Sequence, residues 1–366
     1  MDIYQCIDCG HVQLLTIIDP NYLFQDYVYV SGTSPVFVKH FEEYAKSVIS
    51  EFDLHQGSLV VEIGSNDGTL LKFFQDAGMR VLGIDPAIEI AKKATDLGIE
   101  TLPVFFNAEL AKILRNERGP ASIITANNVF AHVDDLIVFT QGVRWLLAED
   151  GVFIFEVSYL VDVFEKTLFD TVYHEHLSYH SVSPLHQFFQ AQGLELIEVT
   201  RVKTHGGSLR GIVQLSSGYR KVSKSVVNLI SLESKLKLDK ANTLKHYSNN
   251  IDKLKQQLQV LLYDLKQSGK NIVGYGAPAK ATTLLYHFGL GPDMLDFIID
   301  DSPLKQGLYS PGLHIPVLPS SALYEKNPDY ILILAWNFSD PIIKNHLSFS
   351  KAGGKFIIPL PEVLIV

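Results

Sequence analysis

The sequence predicts an α/β protein made of two Rossmann-like units in tandem, the second one smaller, joined by a helical connector. Short apolar strands alternate with amphipathic helices from residue 58 onwards, which indicates right-handed crossovers and a parallel, doubly wound sheet. The same strand–turn–helix pattern restarts near residue 271, after residues 222–266, which contain neither Gly nor Pro. With 47% hydrophobic and 19% charged residues among 366, each unit can bury its own core.

The elements of the first unit follow from the spacing of apolar residues. The first 34 residues are aromatic-rich and are predicted to be irregular, and Pro35 then begins a helix that runs to about Phe52. Helices are also predicted after residue 68, over 108–115 and over 134–147. The predicted strands are residues 59–63, 80–84, 99–102, 121–126, 151–157, 194–202 and 208–215.

The connector and the second unit follow in the same way. Helical spacing over residues 222–266 predicts two helices with a break near Asn249 and Asn250. In the second unit a helix is predicted over residues 279–288, and strands over 271–274, 297–299, 330–335 and 355–358. The predicted organisation is an N-terminal segment (1–50), a first domain (51–217), a connector (218–268) and a C-terminal domain (269–366).

Charge and composition exclude several classes of protein. Lys and Arg number 31 against 40 Asp and Glu, a net charge of −9, so neither nucleic acid nor an anionic membrane is expected as a partner. No apolar run approaches the roughly 18–20 residues of a membrane helix. The N-terminus has no basic and apolar regions of a secretory signal, so a cytoplasmic location is expected. Two cysteines exclude a disulfide framework.

The turn after the first strand of the first unit is acidic. Gly64 and Gly68 follow the spacing G-x-x-x-G, not the dinucleotide pattern G-x-G-x-x-G. Glu62 and Asp67 flank that turn and would repel a pyrophosphate but not a cation, while Asp85 ends the next strand, where it can accept hydrogen bonds from a ribose diol. The pattern therefore predicts S-adenosylmethionine, which carries a sulfonium, an amino group and a ribose. The alternative is an ordinary α/β turn with solvated carboxylates.

A second polar turn is predicted at the same edge of the sheet. Asn127 and Asn128 end the fourth strand, where the pocket of a methyl donor would close, and His132 follows at its rim.

A histidine-rich segment follows the predicted strand 151–157. Residues 170–180 contain one aspartate, two tyrosines, one glutamate and three histidines, namely Asp170, Tyr173, His174, Glu175, His176, Tyr179 and His180. One interpretation is a zinc or iron site, although the spacing H-E-x-x-H is absent. A second is acid–base catalysis, with imidazole as the base and a phenol donating to a developing enolate oxygen. A surface loop without function is the third.

Several motifs in order along the chain resemble the bacterial S-adenosylmethionine-dependent C-methyltransferases that act on nucleotide-linked 4-keto-deoxysugars. The motifs that carry this resemblance are Cys6-x-x-Cys9-Gly10-x-Val12-Gln13-Leu14, Tyr27-x-Tyr29-x-Ser31, Glu62-Ile63-Gly64-Ser65-Asn66-Asp67-Gly68, Asn127-Asn128-Val129-x-Ala131-His132, Tyr173-His174-Glu175-His176, His205-Gly206-Gly207-Ser208 and Gly274-Tyr275-Gly276-Ala277-Pro278-Ala279-Lys280. The resemblance extends over nearly the whole chain.

The resemblance implies an enzyme that removes a proton beside the ketone of the sugar and methylates that carbon, at C-3. It implies that His176 is the general base, and that Tyr173, Glu175, His132 and Tyr27 line the sugar site. The implied donor contacts are Glu62, Gly64, Asn66, Asp67, Gly68, Asp85, Asn127 and Asn128.

The resemblance also implies a site for the nucleoside diphosphate, expected to be dTDP, in the second unit. Backbone N–H groups at Gly276 and the charge of Lys280, at the start of a helix, suit a phosphate. His205 and Gly206 are the other implied substrate contacts. The alternative for Lys280 is a solvated lysine in the first turn of a helix.

The N-terminus departs from that family, whose members have four cysteines around a structural zinc. Cys6 and Cys9 supply only half of a closed tetrahedral site. Either the chain starts late relative to its relatives or this lobe has lost its metal, and His11 or Asp8 could complete only a weak site.

Three other functions are compatible with parts of the sequence. One is O- or N-methylation of another small molecule, against which the second unit argues. Another is a nucleotide-sugar-binding protein without catalysis. The third is an NAD-dependent oxidoreductase, suggested by Gly274-x-Gly276 with Asp300 following, although the third glycine of that pattern is missing.

Overall fold

The computed structural model describes residues 1–25, 27, 30–33 and 35–366, with the side chains of residues 33, 35, 36 and 205 left out. Tyr29 of the Tyr27 motif and the side chain of His205 thus lie outside the described part of the chain. The strands are β1 (Ile3–Gln5), β2 (Val12–Leu14), β3 (Leu59–Ile63), β4 (Arg80–Ile84), β5 (Thr101–Leu102), β6 (Ala121–Asn127), β7 (Leu147–Ser158), β8 (Ser178–Tyr179), β9 (Leu194–Val202), β10 (Ser208–Leu215), β11 (Ile272–Tyr275), β12 (Ile298–Ile299), β13 (Val317–Leu318), β14 (Tyr330–Ile333), β15 (Lys355–Ile358) and β16 (Leu364–Ile365).

Helices connect most of these strands. They are α1 (Pro20–Phe24), α2 (Pro35–Glu51), α3 (Thr69–Asp76), α4 (Ile88–Asp96), α5 (Ala108–Arg118), α6 (Leu136–Leu146), α7 (Leu160–Glu165), α8 (Val182–Ala191), α9 (Lys224–Leu236), α10 (Ala241–Gln267), α11 (Ala279–Phe288), α12 (Ser321–Lys326), α13 (Ser339–Asn345) and α14 (Leu347–Lys351). Short 3₁₀ turns lie at Ser31–Thr33, Phe169–Thr171, Thr204–Gly206 and Trp336–Phe338. No described helix is both long and apolar enough to cross a membrane.

The chain divides into two compact units. The first unit comprises residues 2–160 and 174–239, and the second comprises residues 161–173 and 240–366 together with Met1. The second unit thus includes a short segment, residues 161–173, that lies in sequence between strands of the first. The predicted connector is also divided, because α9 belongs to the first unit and α10 to the second.

The main sheet of the first unit has the order β5-β4-β3-β6-β7-β10-β9 among the described residues. The five strands from β5 to β7 are parallel, whereas β10 is antiparallel to both β7 and β9. The first strand of this sheet along the chain is β3, and later strands are added on both sides of it, so the switch point lies between β3 and β6. Ligands of doubly wound sheets bind at the carboxyl ends of the strands beside such a point.

The N-terminal 34 residues are less irregular than the sequence predicts. Strands β1 and β2 form an antiparallel hairpin, and β2 also pairs with β8 through Val12 and Tyr179. Each strand has only three residues, and only Val12 and Leu14 of β2 are buried. An alternation of buried and exposed residues over only three positions gives almost no sequence signal. The pairing with β8 involves residues far along the chain, which no local pattern indicates.

The second unit has the sheet order β13-β12-β11-β14-β15-β16 among the described residues, with β16 alone antiparallel to its neighbour. Its core joins Leu254, Leu258 and Leu262 of α10 to the apolar face of α11, and it also includes Phe169 and Trp336. The predicted α/β class, with two Rossmann-like units, is confirmed.

The predicted helix break near Asn249 and Asn250 is wrong. Both residues lie inside α10. The two helices instead separate after Leu236, where the residue that caps α9, Lys237, has a left-handed φ of 54°. The apolar stripe Leu254, Leu258 and Leu262 continues past the two asparagines and packs in the core, so burial outweighs their weak helix propensity.

Candidate functional site

The loop between β3 and α3 needs its glycines. Gly64 has a φ of 70°, and a Cβ atom there would lie 2.2 Å from Val129 Cγ2. Gly68 has a φ of 76°, and its Cβ would lie 2.9 Å from Ile99 Cγ2. Since a left-handed φ and close packing coincide at both positions, only glycine lets the backbone turn this tightly at the carboxyl end of β3.

Asp85, at the end of β4, holds the same turn in place. Its Oδ2 accepts a hydrogen bond from Asn66 N at 2.8 Å, and its Oδ1 accepts one from Ala87 N at 2.9 Å. Burial raises the pKa of this carboxyl group, and the two backbone donors act in the opposite direction. Asp85 therefore connects the β3 turn to the start of α4.

Two polar side chains at the ends of β3 and β6 lack partners. Glu62 Oε2 and both polar atoms of the Asn127 amide are buried without a hydrogen bond of good geometry among the described residues. Burial, followed by the charges of Asp67 and Asp85, raises the pKa of Glu62 well above its usual value. A buried polar atom left unpaired is costly, so this set fits a polar, cationic ligand such as S-adenosylmethionine. Asn128 adopts a left-handed φ of 56° beside them.

The segment at Ser31 and Gly32 covers the turn, a contact that the sequence analysis did not predict. Ser31 N donates to Asn66 Oδ1 at 2.9 Å, and Gly32 N donates to Asp67 Oδ2 at 2.9 Å. A Cβ atom on Gly32 would lie 2.5 Å from Asp67 Oδ2, so glycine is required. The only sequence signal was the small-residue run that precedes Pro35, which is ordinarily typical of a turn.

The structure brings His132 and His176 together, although they are far apart in sequence. Their rings stack with centroids 5.1 Å apart at an interplanar angle of 29°. Phe24 of α1 stacks on His132 at 5.6 Å and 8°. The backbone fixes the pair, because the N–H groups of Leu177 and Ser178 both donate to the carbonyl oxygen of Ala131, at 2.9 and 3.0 Å.

Tyr27 and Glu175 lie beside this stack. The Tyr27 hydroxyl donates to Glu175 Oε2 at 3.0 Å, and burial raises the pKa of Glu175 while that hydrogen bond lowers it. His132, His174 and Glu175 line one small cleft with Phe24. Tyr173 is assigned to the second unit and His174 to the first, so the chain passes from one unit to the other inside this motif.

The hydrogen bond between Tyr27 and Glu175 predicts a shift in pH dependence. Tyr27→Phe removes the hydrogen-bond donor that stabilises the Glu175 carboxylate, so the pKa of Glu175 rises further. In the variant, Glu175 is therefore protonated up to a higher pH than in wild type. Since the protonated carboxyl group is the form that can donate a hydrogen bond to a developing oxyanion, we expect the basic limb of the kcat/KM profile to move to higher pH. The check is a pH–rate profile of the variant against wild type, with Tyr22→Phe, an exposed tyrosine, as control. Superimposable profiles would contradict the role of this bond.

The turn after β11 in the second unit repeats the construction seen around Asp85. Asp300 Oδ2 accepts from Ala277 N at 2.7 Å, and its Oδ1 accepts from Ser302 N at 2.9 Å. Gly276 has a φ of 88°, and its Cβ would lie 2.5 Å from Ala335 Cβ. The two turns are thus built on the same scheme of an aspartate that ends the neighbouring strand.

The remaining predicted contacts are distributed between the units. Lys280 lies in the first turn of α11, with its ammonium 3.9 Å from Asp170 Oδ2 and 4.1 Å from the centroid of the Trp336 ring. Gly206 has a left-handed φ of 94° and belongs to the first unit.

The cysteine pair does not form a complete metal site. Cys6 and Cys9 are exposed in the turn between β1 and β2, while His11 Nε2 pairs with Ser178 Oγ at 3.2 Å. Backbone hydrogen bonds, from Cys9 and then Asp8, lower the pKa of Cys6. In the described part of the chain no three His, Cys, Asp or Glu side chains are grouped as metal ligands. The donor set therefore does not fit a structural zinc, which needs four ligands.

Comparisons with known proteins cover the whole chain. Residues 37–199 match the family model described as a methyltransferase domain, and residues 203–361 match the model described as a C-methyltransferase C-terminal domain. The C-methyltransferase NovU of Streptomyces niveus is 35% identical over 366 residues, which is all of this chain and 87% of that relative.

Solved structures with some likeness cover about half of the chain. Magnesium protoporphyrin IX methyltransferase from Synechocystis with bound SAM is 14% identical, with a TM-score of 0.39 over 55% of this chain and 99% of that one. A putative methyltransferase complex with the Haloferax volcanii Trm112 activator gives 16% identity and a TM-score of 0.39, over 50% of this chain and 95% of that one.

Proposed function

We propose, since this chain belongs to the family of S-adenosylmethionine-dependent C-methyltransferases, that it methylates C-3 of a nucleotide-linked 4-keto-deoxysugar in branched deoxysugar biosynthesis. One observation carries the proposal. The first unit combines a turn suited to a cationic donor with a stacked His132–His176 pair and a carboxyl–phenol pair beside it. That combination supplies the groups that deprotonation of a carbon beside a ketone requires.

The acidity of that carbon depends on stabilising the enolate. His176, as the base, takes the proton from the carbon, a role for which an imidazole is suited near neutral pH. A hydroxyl or a protonated carboxyl group then donates to the ketone oxygen as negative charge develops, a role that Tyr173, Tyr27 or Glu175 can fill. The raised pKa of Glu175 favours its protonated form and so suits that role.

The enolate carbon then forms a bond to the methyl group of S-adenosylmethionine, and the C–S bond breaks, leaving S-adenosylhomocysteine. The sulfonium supplies the electrophile. The β3 turn, Asp85 and the buried side chains of Glu62 and Asn127 would hold the donor, so that the acceptor carbon could approach the methyl group in line, at the roughly 3–3.5 Å of a near-attack geometry. No charge is left on the sugar, because the ketone is restored as the new C–C bond forms.

The second unit is proposed to bind the nucleoside diphosphate. The proposal rests on the first backbone N–H groups of α11, which begins at Ala279, and on the positive charge of Lys280 in the first turn. The N–H groups of Gly276 and Ala277 instead donate to Ile299 O at 2.6 Å and to Asp300 Oδ2 at 2.7 Å, so the expected contact at Gly276 is corrected to the start of the helix. A nucleotide held there would anchor a substrate whose sugar alone offers little binding energy. His205 and Gly206 complete the proposed substrate contacts.

The test uses the full chain with a panel of dTDP-linked 4-keto-deoxysugars. Product mass should rise by one methylene with S-adenosylmethionine. With S-adenosylhomocysteine in D₂O, the protein should wash deuterium into the carbon beside the ketone. Methyl transfer without any exchange at carbon would point to an oxygen or nitrogen acceptor. Binding of dTDP-sugars without either reaction would indicate a binding protein.

A further inference from the structure

A buried ion pair in the second unit joins Lys280, a proposed phosphate contact, to Asp170, which has no part in the reaction as described so far. Asp170 is fully buried, and its Oδ2 accepts a hydrogen bond from Trp336 Nε1 at 2.6 Å. The Lys280 ammonium lies 3.9 Å from the same oxygen and over the Trp336 ring, with 13% of its side chain exposed. Asp170 Oδ1 is buried and has no hydrogen-bond partner among the described residues. Burial raises the pKa of Asp170 and lowers that of Lys280, so each charge depends on the other.

The pair is one of several contacts that join α11 to residues 169–172. Phe169 stacks on Phe288 of α11 with ring centroids 4.8 Å apart, and the Thr283 hydroxyl donates to the carbonyl oxygen of Val172 at 3.1 Å. Lys280 and Thr283 are at positions i and i+3, on one face of α11. Residues 169–172 are therefore clamped along the helix whose N-terminus is the proposed phosphate site.

The clamped segment leads directly to the proposed catalytic residues. Asp170 precedes Tyr173 by three residues and His176 by six. A segment held at Phe169, Asp170 and Val172 has little freedom left at Tyr173. A mutation far from the reacting atoms that displaces a catalytic group by about 1 Å can slow a reaction on the order of 10²-fold.

We propose that Asp170 and Lys280 are positioning residues, which hold the segment that carries Tyr173 in its productive geometry. The pair joins α11 to residues 169–172, which directly precede Tyr173 in the chain. The inference rests on the proposed function, because its assay measures the proposed reaction. It gives Lys280 a positioning role through Asp170 in addition to the proposed contact with a phosphate.

The test compares Asp170→Asn, Lys280→Met and the double variant in the full chain. Asparagine keeps an acceptor for Trp336 without the charge, and methionine keeps an apolar stem against the ring. Lys270→Met and Asp329→Asn are the matched controls, because that pair is also Lys–Asp in the second unit but is half-exposed at 3.0 Å. The readouts are affinity for S-adenosylhomocysteine and for dTDP by calorimetry, kcat, and the rate of deuterium exchange.

We expect either single variant to lower kcat and the exchange rate about 10–100-fold, with the affinity for S-adenosylhomocysteine within about twofold of wild type. Asp170→Asn should also keep its dTDP affinity, whereas Lys280→Met should weaken dTDP binding because it removes a proposed phosphate contact. The double variant should lose no more than the worse single one, because the pair acts as one unit. The double variant removes both charges, so it leaves no unpaired buried charge. It can therefore be assayed even if one of the single variants does not fold. The control variants should behave as wild type.

Two results would overturn the proposal. Loss of dTDP affinity in Lys280→Met alone, with Asp170→Asn at wild-type exchange rate, would make Lys280 a phosphate ligand only. Wild-type kcat in a folded double variant would make the pair purely structural. A wild-type protein that neither binds dTDP nor exchanges deuterium would instead contradict the proposed function, which keeps the two failures distinct.

Discussion

A His176→Asn variant is expected to lose methyl transfer by at least about 10²–10⁴-fold while still binding both ligands. A general base typically contributes that much, and asparagine can occupy a similar volume beside His132 without taking a proton. The measurement is methyl transfer from S-adenosylmethionine, together with deuterium exchange in the presence of S-adenosylhomocysteine. The variant should fail in both assays.

The control for this prediction is His186→Asn. His186 lies on α8 in the same unit and approaches Gln190, away from the stacked pair, so its replacement should leave both assays unchanged. Exchange at the wild-type rate in His176→Asn would assign the proton to another residue, with Tyr173 or His132 next to be tested. A metal-dependent mechanism would instead show loss of activity with a chelator and recovery with added zinc or iron.

An Asp85→Ala variant is expected to weaken the binding of S-adenosylhomocysteine about 10–100-fold and to leave dTDP affinity unchanged. The carboxylate accepts from Asn66 N and Ala87 N, and both bonds shape the donor turn. Hydrogen bonds to a charged group contribute roughly 1.5–3 kcal/mol each, and about 1.4 kcal/mol is tenfold in affinity. Calorimetry with each ligand separately is the measurement.

Asp300→Ala provides the matched control, because Asp300 makes the same two kinds of backbone contact in the second unit. It should weaken dTDP binding and leave S-adenosylhomocysteine binding intact, the reverse of the Asp85 result. If either variant weakened both ligands equally, the two ligands would not occupy separate sites.

Local signals in the sequence were sufficient for the fold class and for the turns. Glycines follow the apolar runs of β3 and β11. Each run with its glycine predicts a strand and a tight turn within a dozen residues, so these elements can be identified without any distant contact. The same holds for the acids beside Gly64 and for the ordered motifs that resemble those of C-methyltransferases. The 35% identical relative confirms that family.

Distant contacts decided what local signals could not. The stack of His132 on His176, the clamp of Lys280 on Asp170 and the cover of Ser31 and Gly32 over the donor turn all join residues that are at least 34 positions apart. No local pattern records such a partner, because burial and hydrogen bonding select it only once the chain is folded.

The helix break and the unit boundaries show the same distinction. Asn249 and Asn250 weaken a helix locally, yet the leucine stripe of α10 is buried and keeps the helix intact. Residues 161–173 lie between strands of the first unit in sequence, but Phe169 and Asp170 are buried in the second. Sequence by itself determined the kind of element and the chemistry available at each strand end. The tertiary structure alone decided which elements share a core, because burial of apolar surface and pairing of buried charge depend on contacts that span the chain.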